Sequence, residues 1–163
     1  MKGIGKTIRR RRHEGKTDYL ARTEILKSGE ARVIVRKSNR YMHLALVSSF
    51  EAQDKVICIA DSKDLLAQGW TAKNAGSLKG LAASYLTGRM LAKRAIKHGI
   101  NKAILDIGIQ RNVAGGRLYA VLKGLIDGGM KVPHSVEVLP TPERLKHNSN
   151  TRSYIEKMAE SVH

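Results

Sequence analysis

Apolar residues recur along this chain with two periods, about 2 and about 3.6 residues, and the switches between them mark out strands and helices. Val33, Ile34 and Val35 are β-branched and lie between Arg32 and the polar run Arg36, Lys37, Ser38 and Asn39. This pattern predicts a half-buried strand over Arg32 to Lys37 that carries cations and short hydrogen-bonding side chains at its exit. Two further strands are predicted over Tyr41 to Phe50 and about Lys55 to Asp61. Only Ser38, Asn39 and Arg40 separate the first two, which requires an antiparallel hairpin, and a short turn around Glu51 to Asp54 continues the meander. From Leu78 to His98 the period becomes helical, with Leu78, Leu81, Ala82, Tyr85, Leu86, Ala92, Ala95 and Ile96 on one stripe and Gly99 as the stop. The basic row Arg89, Lys93 and Lys97 falls on the other side and reads as a solvated face. A fourth strand is predicted over Lys102 to Gln110, then a helix carrying Leu118, Val121, Leu122, Leu125 and Ile126, ended by Gly128 and Gly129. A further short strand within Met130 to Leu139 would complete a right-handed βαβ unit. The order satisfies an α/β architecture, a mixed sheet with helices packed on its faces.

The two ends differ from this middle. Met1 to Lys16 has Ile4 and Ile8 as its only β-branched aliphatics among Lys2, Lys6, Arg9, Arg10, Arg11, Arg12 and Lys16, so it reads as a basic arm that orders on a partner. Thr17 and Asp18 read as the cap of a short helix, Tyr19 to Lys27, which Ser28 and Gly29 end. Ser62 to Ser77 is a connection with a helical turn at Lys63 to Gln68 and Trp70 as its anchor. Thr141, Pro142 and Glu143 start a helix, since Pro suits the first helical position. His147 to Thr151 is a polar break before a weakly amphipathic piece, Tyr154 to Val162. The expected division is therefore residues 1–29 as arm and short helix, 30–140 as the α/β core and 141–163 as a helical tail.

Charge sharpens the picture. Thirty Lys and Arg against 14 Asp and Glu give a net charge of +16 in 163 residues, with a pI near 10.3. Residues 1–40 hold 13 of those cations against 4 acids, a net +9, and the other 123 residues carry +7. Such a surface attracts polyanions, of which nucleic acid is the commonest in the cytoplasm, the compartment expected here. Cys58 is the only cysteine, so no internal disulfide forms, and its place in VICIA predicts a small buried residue. No apolar run approaches the ~18 residues of a spanning helix.

Candidates for catalysis are thin. Asp61, Asp64, Asp106 and Asp127 are scattered, whereas metal-assisted phosphoryl chemistry needs carboxylates that converge, and the first strand offers Arg32, Arg36 and Lys37 instead. Asp106 reads as a partner for a nearby cation or backbone donor. His43 faces a partner or solvent, with no other ligand at metal spacing. No P-loop, no metal site and no cofactor motif is present, and no enzyme activity is expected; a nuclease on the same architecture is the alternative. With 4% aromatic residues, the composition disfavours a base-stacking sheet and favours phosphate contact by Lys and Arg.

Four motifs, GKTDYLARTEILKSGEARVIVRKSN (Gly15 to Asn39), ASYLTGRMLAKRA (Ala83 to Ala95), AILDIGIQR (Ala103 to Arg111) and LKGLIDGGMKVPH (Leu122 to His134), resemble a known family in order and spacing. It is the archaeal-type 5S rRNA-binding protein family of the large ribosomal subunit, number eighteen in bacterial and archaeal naming and the counterpart of eukaryotic large-subunit protein five. The resemblance runs to about Leu145. It implies a three-layer ribonuclease H-like mixed sheet of order 3-2-1-4-5 with strand 2 antiparallel, behind a basic N-terminal arm. It also implies a structural role, attaching 5S rRNA to the large-subunit rRNA in the central protuberance beside neighbouring ribosomal proteins. The residues it implies at the RNA are Lys6, Arg9, Arg10, Arg11, Arg12, Lys16, Thr17, Asp18, Tyr19 and Arg22 of the arm and helix, then Arg36, Lys37, Ser38, Asn39 and Arg40 of the hairpin. The turn NVAGGR after the fourth strand lacks an expected extra basic residue, so the resemblance assigns no RNA contact to Arg111 or Arg117. The tail after Lys146 is rich in Ser and Asn where a more acidic one is expected.

Overall fold

The computed structural model describes residues 7–51, 53–70, 78–146, 152 and 155. Lys6, the His147 to Thr151 break and almost all of the C-terminal piece lie outside the described residues, as does the second half of the connection before Leu78. β1 (Arg32–Lys37) is antiparallel to β2 (Met42–Phe50), which is antiparallel to the edge strand β3 (Gln53–Asp61). On its other side β1 runs parallel to β4 (Ile104–Asp106), so the sheet order is β3-β2-β1-β4.

Two predicted elements are shorter than the sequence implies. The fourth strand closes at Asp106 because its carboxylate turns back to accept the Gly108 N–H at 2.9 Å, and Gly108 at φ 60 carries the chain out of the sheet. The fifth strand is reduced to one parallel bridge, Lys102 with Lys131. Pro133 removes a ladder donor just beyond it, and Val136–Val138 curls into a 3-10 turn.

Period-2 alternation puts Val33, Val35, Leu44, Leu46 and Ala60 on one face, all buried. α4 (Leu81–Lys97) crosses that face and α5 (Arg117–Asp127) packs on α4. The helices meet backbone to backbone: a Cβ added at Gly88 would lie 2.3 Å from the Val121 carbonyl oxygen, and one at Gly124 2.1 Å from that of Tyr85. Because α4 is covered by the sheet on one side and by α5 on another, its buried face is wider than the predicted stripe. Arg89, expected in a solvated row, is 8% exposed with its guanidinium 5.9 Å from the Tyr85 ring, whereas Lys93 and Lys97 are exposed as expected. Ile96, expected in the stripe, is 45% exposed near the helix end. Cys58 is half-buried rather than buried, since β3 is an edge strand.

In the arm, α1 (Arg10–His13) is one helical turn that buries nothing. α2 (Tyr19–Lys27) starts where predicted, the Asp18 carboxylate accepting from the N–H groups of Leu20 and Ala21 at 3.0 and 3.2 Å. α3 (Asp64–Ala67) precedes Trp70, which is buried as an anchor, and α6 (Pro142–Lys146) opens on its proline. No described helix is long and apolar enough to cross a membrane.

Candidate nucleic-acid interface

The site is organised by a buried cation. Arg32, at the start of β1, is 0% exposed, a state that an arginine tolerates only when its charge is matched; its two Nη groups carry that matching, while its Nε is buried with no partner among the described residues. Its Nη1 donates to Asp106 Oδ2 at 3.0 Å, and its Nη2 donates to Asp54 Oδ1 at 2.6 Å and to Ser49 Oγ at 3.0 Å. Asp106 also accepts from Arg36 Nη2 through Oδ1 at 3.3 Å, while Arg36 Nη1 donates to the carbonyls of Val35 and Asp106 at 2.8 and 3.0 Å. The Arg36 guanidinium rests over Gly108, where an added Cβ would come within 3.1 Å of Cζ. Arg36 is thereby half exposed yet fixed in direction.

Around this fixed cation the arm folds back. Arg11, Lys16, Thr17, Asp18, Arg22 and Arg36 line one cleft of about 240 Å³ between α2 and the ends of β1 and β4. Arg11 Nε donates to Thr17 Oγ1 at 2.9 Å, Arg22 pairs with Asp54 at 2.9 Å, and Lys16 pairs with Glu14 at 2.8 Å. Arg9 stacks 4.7 Å above the Tyr19 ring, and these two line a second recess with Arg12. Arg10 lies in α1, exposed and 3.5 Å from Glu14. The hairpin residues divide. Ser38 is consumed by the turn, its hydroxyl donating to the Tyr41 carbonyl and accepting the Tyr41 N–H, both at 3.0 Å, while Asn39 and Arg40 stand exposed at the tip. Lys37 does not join the cleft; it lines a different one with Arg111, Arg117 and Arg144.

The other acids raised as catalytic candidates are each engaged by a cation or a histidine. Asp61 meets His43 Nδ1 at 2.7 Å, Asp64 meets Arg94 at 2.9 Å, and Asp127 meets Lys123 at 3.1 Å and the Tyr85 hydroxyl at 3.0 Å. Among the described residues no three His, Cys, Asp or Glu side chains gather around a metal position. The expected role of Asp106 as a partner for Arg holds, and the strength of the arrangement comes from Arg32, whose complete burial no local sequence pattern signals.

Asp54 carries a testable consequence. Burial pushes its carboxyl up, but hydrogen bonds from Ser49, Arg22 and Arg32 and the charge of Arg32 outweigh this and hold it down at about 2, against an ordinary 3.8. A carboxyl depressed on folding stabilises the fold fully above the unfolded value and loses that contribution as pH falls through the folded one. The melting temperature of the full chain therefore falls more steeply from about pH 4 to about pH 2 than that of Asp54→Asn; parallel slopes in thermal melts would remove Asp54 from the network.

A mixed α/β sheet whose strand ends and arm present cations, several of them held by carboxylates, defines a basic α/β protein of scaffold type. The chain belongs to the family described as ribosomal large subunit proteins 60S L5 and 50S L18, whose model matches residues 6–102 and 97–135. It is 46% identical over 151 residues to the large ribosomal subunit protein uL18 of Korarchaeum cryptofilum (strain OPF8), covering 93% of this chain and 75% of that one. The uL18 protein of Methanoregula boonei is 39% identical over 153 residues, 94% of this chain and 85% of its own. That of Methanothermobacter thermautotrophicus is 38% identical over 151 residues, 93% and 76% respectively. The family is one of structural ribosomal proteins, which agrees with the resemblance drawn from the four motifs.

Proposed function

We propose that this protein binds 5S rRNA and helps attach it to the large-subunit rRNA in the central protuberance, next to other ribosomal proteins, without catalysing a reaction. On this reading residues 1–29 are the RNA-ordered arm, residues 30–140 the core that aims its cations, and residues 141–163 a tail. Its sheet is of the ribonuclease H-like type, with the Lys102–Lys131 bridge standing in the place of a fifth strand. The RNA-facing set is Lys6, Arg9 to Arg12, Lys16 to Tyr19 and Arg22, with Arg36 to Arg40 at the strand end.

The observation that carries the reading is Arg36: half exposed, but held by Asp106 and two carbonyls so that it points one way. A preorganised cation gives up little entropy on binding and is left unmatched by an RNA of the wrong shape, so it serves discrimination, whereas the arm adapts to many polyanions. Expected is that the full chain prefers 5S rRNA over an unrelated duplex of equal length at one salt concentration, and that Arg36→Gln narrows this ratio by about 1 to 3 kcal/mol. Removing Arg10 and Arg11 weakens both complexes evenly. Filter binding of both RNAs decides it, and a wild-type chain that binds the two equally would leave only a general polyanion binder.

A further inference from the structure

β1 ends on two consecutive cations, and successive strand side chains leave opposite faces of a sheet. Arg36 follows Arg32 and Ile34 to the α2 side, into the arm cleft. Lys37 follows Val33 and Val35 to the side of α4 and α5 and lines a separate cavity of about 330 Å³ with Arg111, Arg117 and Arg144. The rest of that lining is Leu81, Val113, Gly116 and Leu118, so it contains four cations and no acid.

The contrast with the arm cleft is sharp. There Arg22, Arg36 and Lys16 each have a carboxylate partner. Here none of the four cationic side chains has an ion pair or side-chain hydrogen bond among the described residues. Four like charges around one concavity repel each other in the free protein, and a bound anion reverses that term. The position is also built. Gln110 fastens the segment bearing Arg111 to the exit of β1, its Oε1 accepting the Lys37 N–H at 3.1 Å and its Nε2 donating to the carbonyls of Val35 and Ile107 at 2.6 and 3.0 Å. Gly115, at φ 65 and hydrogen-bonded to the Val138 carbonyl at 2.8 Å, leaves room for the Arg144 guanidinium, 3.0 Å from where a Cβ would stand. Arg144 thus sits over Gly115 as Arg36 sits over Gly108.

We propose that the cavity formed by Lys37, Arg111, Arg117 and Arg144 is a second RNA phosphate-binding site, so that the end of the sheet is held between two separate stretches of RNA backbone, one on each face. Three planar guanidinium forks suit the paired oxygens of phosphodiesters, and the shared β1 exit couples the two sites rigidly. The proposal rests on the RNA-binding reading and extends it to Arg111, Arg117 and Arg144, which lie outside the set named for it, and gives Lys37 a different partner site from Arg36.

The test uses the full chain bound to RNA extracted from the large ribosomal subunit, 5S and large rRNA together, with phosphate protection and salt dependence as readouts. R111Q/R117Q/R144Q is expected to lower the slope of log affinity against log salt by roughly 2 to 3 and to lose a block of protected phosphates. R11Q/K16Q is expected to lose a different, non-overlapping block. The substituted arginines are exposed, and R111K/R117K/R144K, which keeps the charge, restores most of the slope. If R111Q/R117Q/R144Q keeps the wild-type slope and every protection, or binds RNA normally while losing an acidic protein partner, the second site is not an RNA site, though RNA binding by the arm cleft stands. Loss of the same phosphates in both variants would mean one continuous site and overturn the proposal. A wild-type chain that protects no phosphate overturns the RNA reading and the proposal together.

Discussion

Asp106→Ala is expected to lower the free energy of unfolding by about 3 to 5 kcal/mol, because it leaves Arg32 as an incompletely matched charge inside the fold. Arg32 has no exposed surface through which to find water, and Asp106 supplies one of its two carboxylate partners. The same substitution strips Arg36 of its side-chain acceptor and the Gly108 N–H of its only described partner, so the turn after β4 loosens as well. The charge imbalance is the dominant effect, which the double variant Arg32→Met with Asp106→Ala isolates. A buried ion pair replaced by apolar side chains of similar size is often close to neutral, so the double variant should recover most of the loss. Urea unfolding at neutral pH, which leaves ionic strength unchanged, measures both. A single-variant loss below about 1 kcal/mol, the level of an exposed pair, would show that Arg32 reaches water and is not the organising charge of the sheet.

Leu122→Ala should cost about 2 to 5 kcal/mol, and Lys123→Ala on the next residue no more than about 0.5. Leu122 is 1% exposed on α5, whose backbone is pressed against α4 through Gly88 and Gly124, so the helices are already in contact and cannot close over the void. Lys123 is half-buried at the helix flank and makes an i,i+4 pair with Asp127 at 3.1 Å. Removing it costs a partly solvated pair and only the contacts of its aliphatic stem, with no void in the core. Equal losses in urea would place the helix in a different rotation about its axis.

Much of this is legible in the sequence. The β-branched run Val33 to Val35, the three-residue connection to the next strand and the cap at Asp18 are local features, in which neighbouring residues settle the conformation between them, and β1 and α2 have the predicted bounds. The arm's charge is equally local, and so were most of the cations that line the arm cleft. The expectations that failed concern what lies on the far side of an element. The helical stripe of α4 showed which residues avoid water when one neighbour covers them, but a second neighbour, α5, buries Arg89 as well and leaves Ile96 out. A fifth strand was expected from apolar residues, yet strand pairing depends on donors meeting acceptors across a gap, and Pro133 and the turn at Val136–Val138 spoil that register.

By itself, the sequence determined the meander, the two long helices, the basic arm, the family and the absence of an acid on the first strand, because periodicity, turn residues and charge act over a few neighbouring positions. Only the tertiary structure decided how those charges are used. Arg32, Asp54 and Asp106 are up to 74 residues apart and become partners solely because three strands bring them together. Arg36 and Lys37, adjacent and alike in the sequence, are sent to opposite faces of the sheet, where one finds carboxylates and the other finds Arg111, Arg117 and Arg144. Charge is additive along a chain, but its sign at a site depends on which distant groups share the space, and that is a property of packing alone.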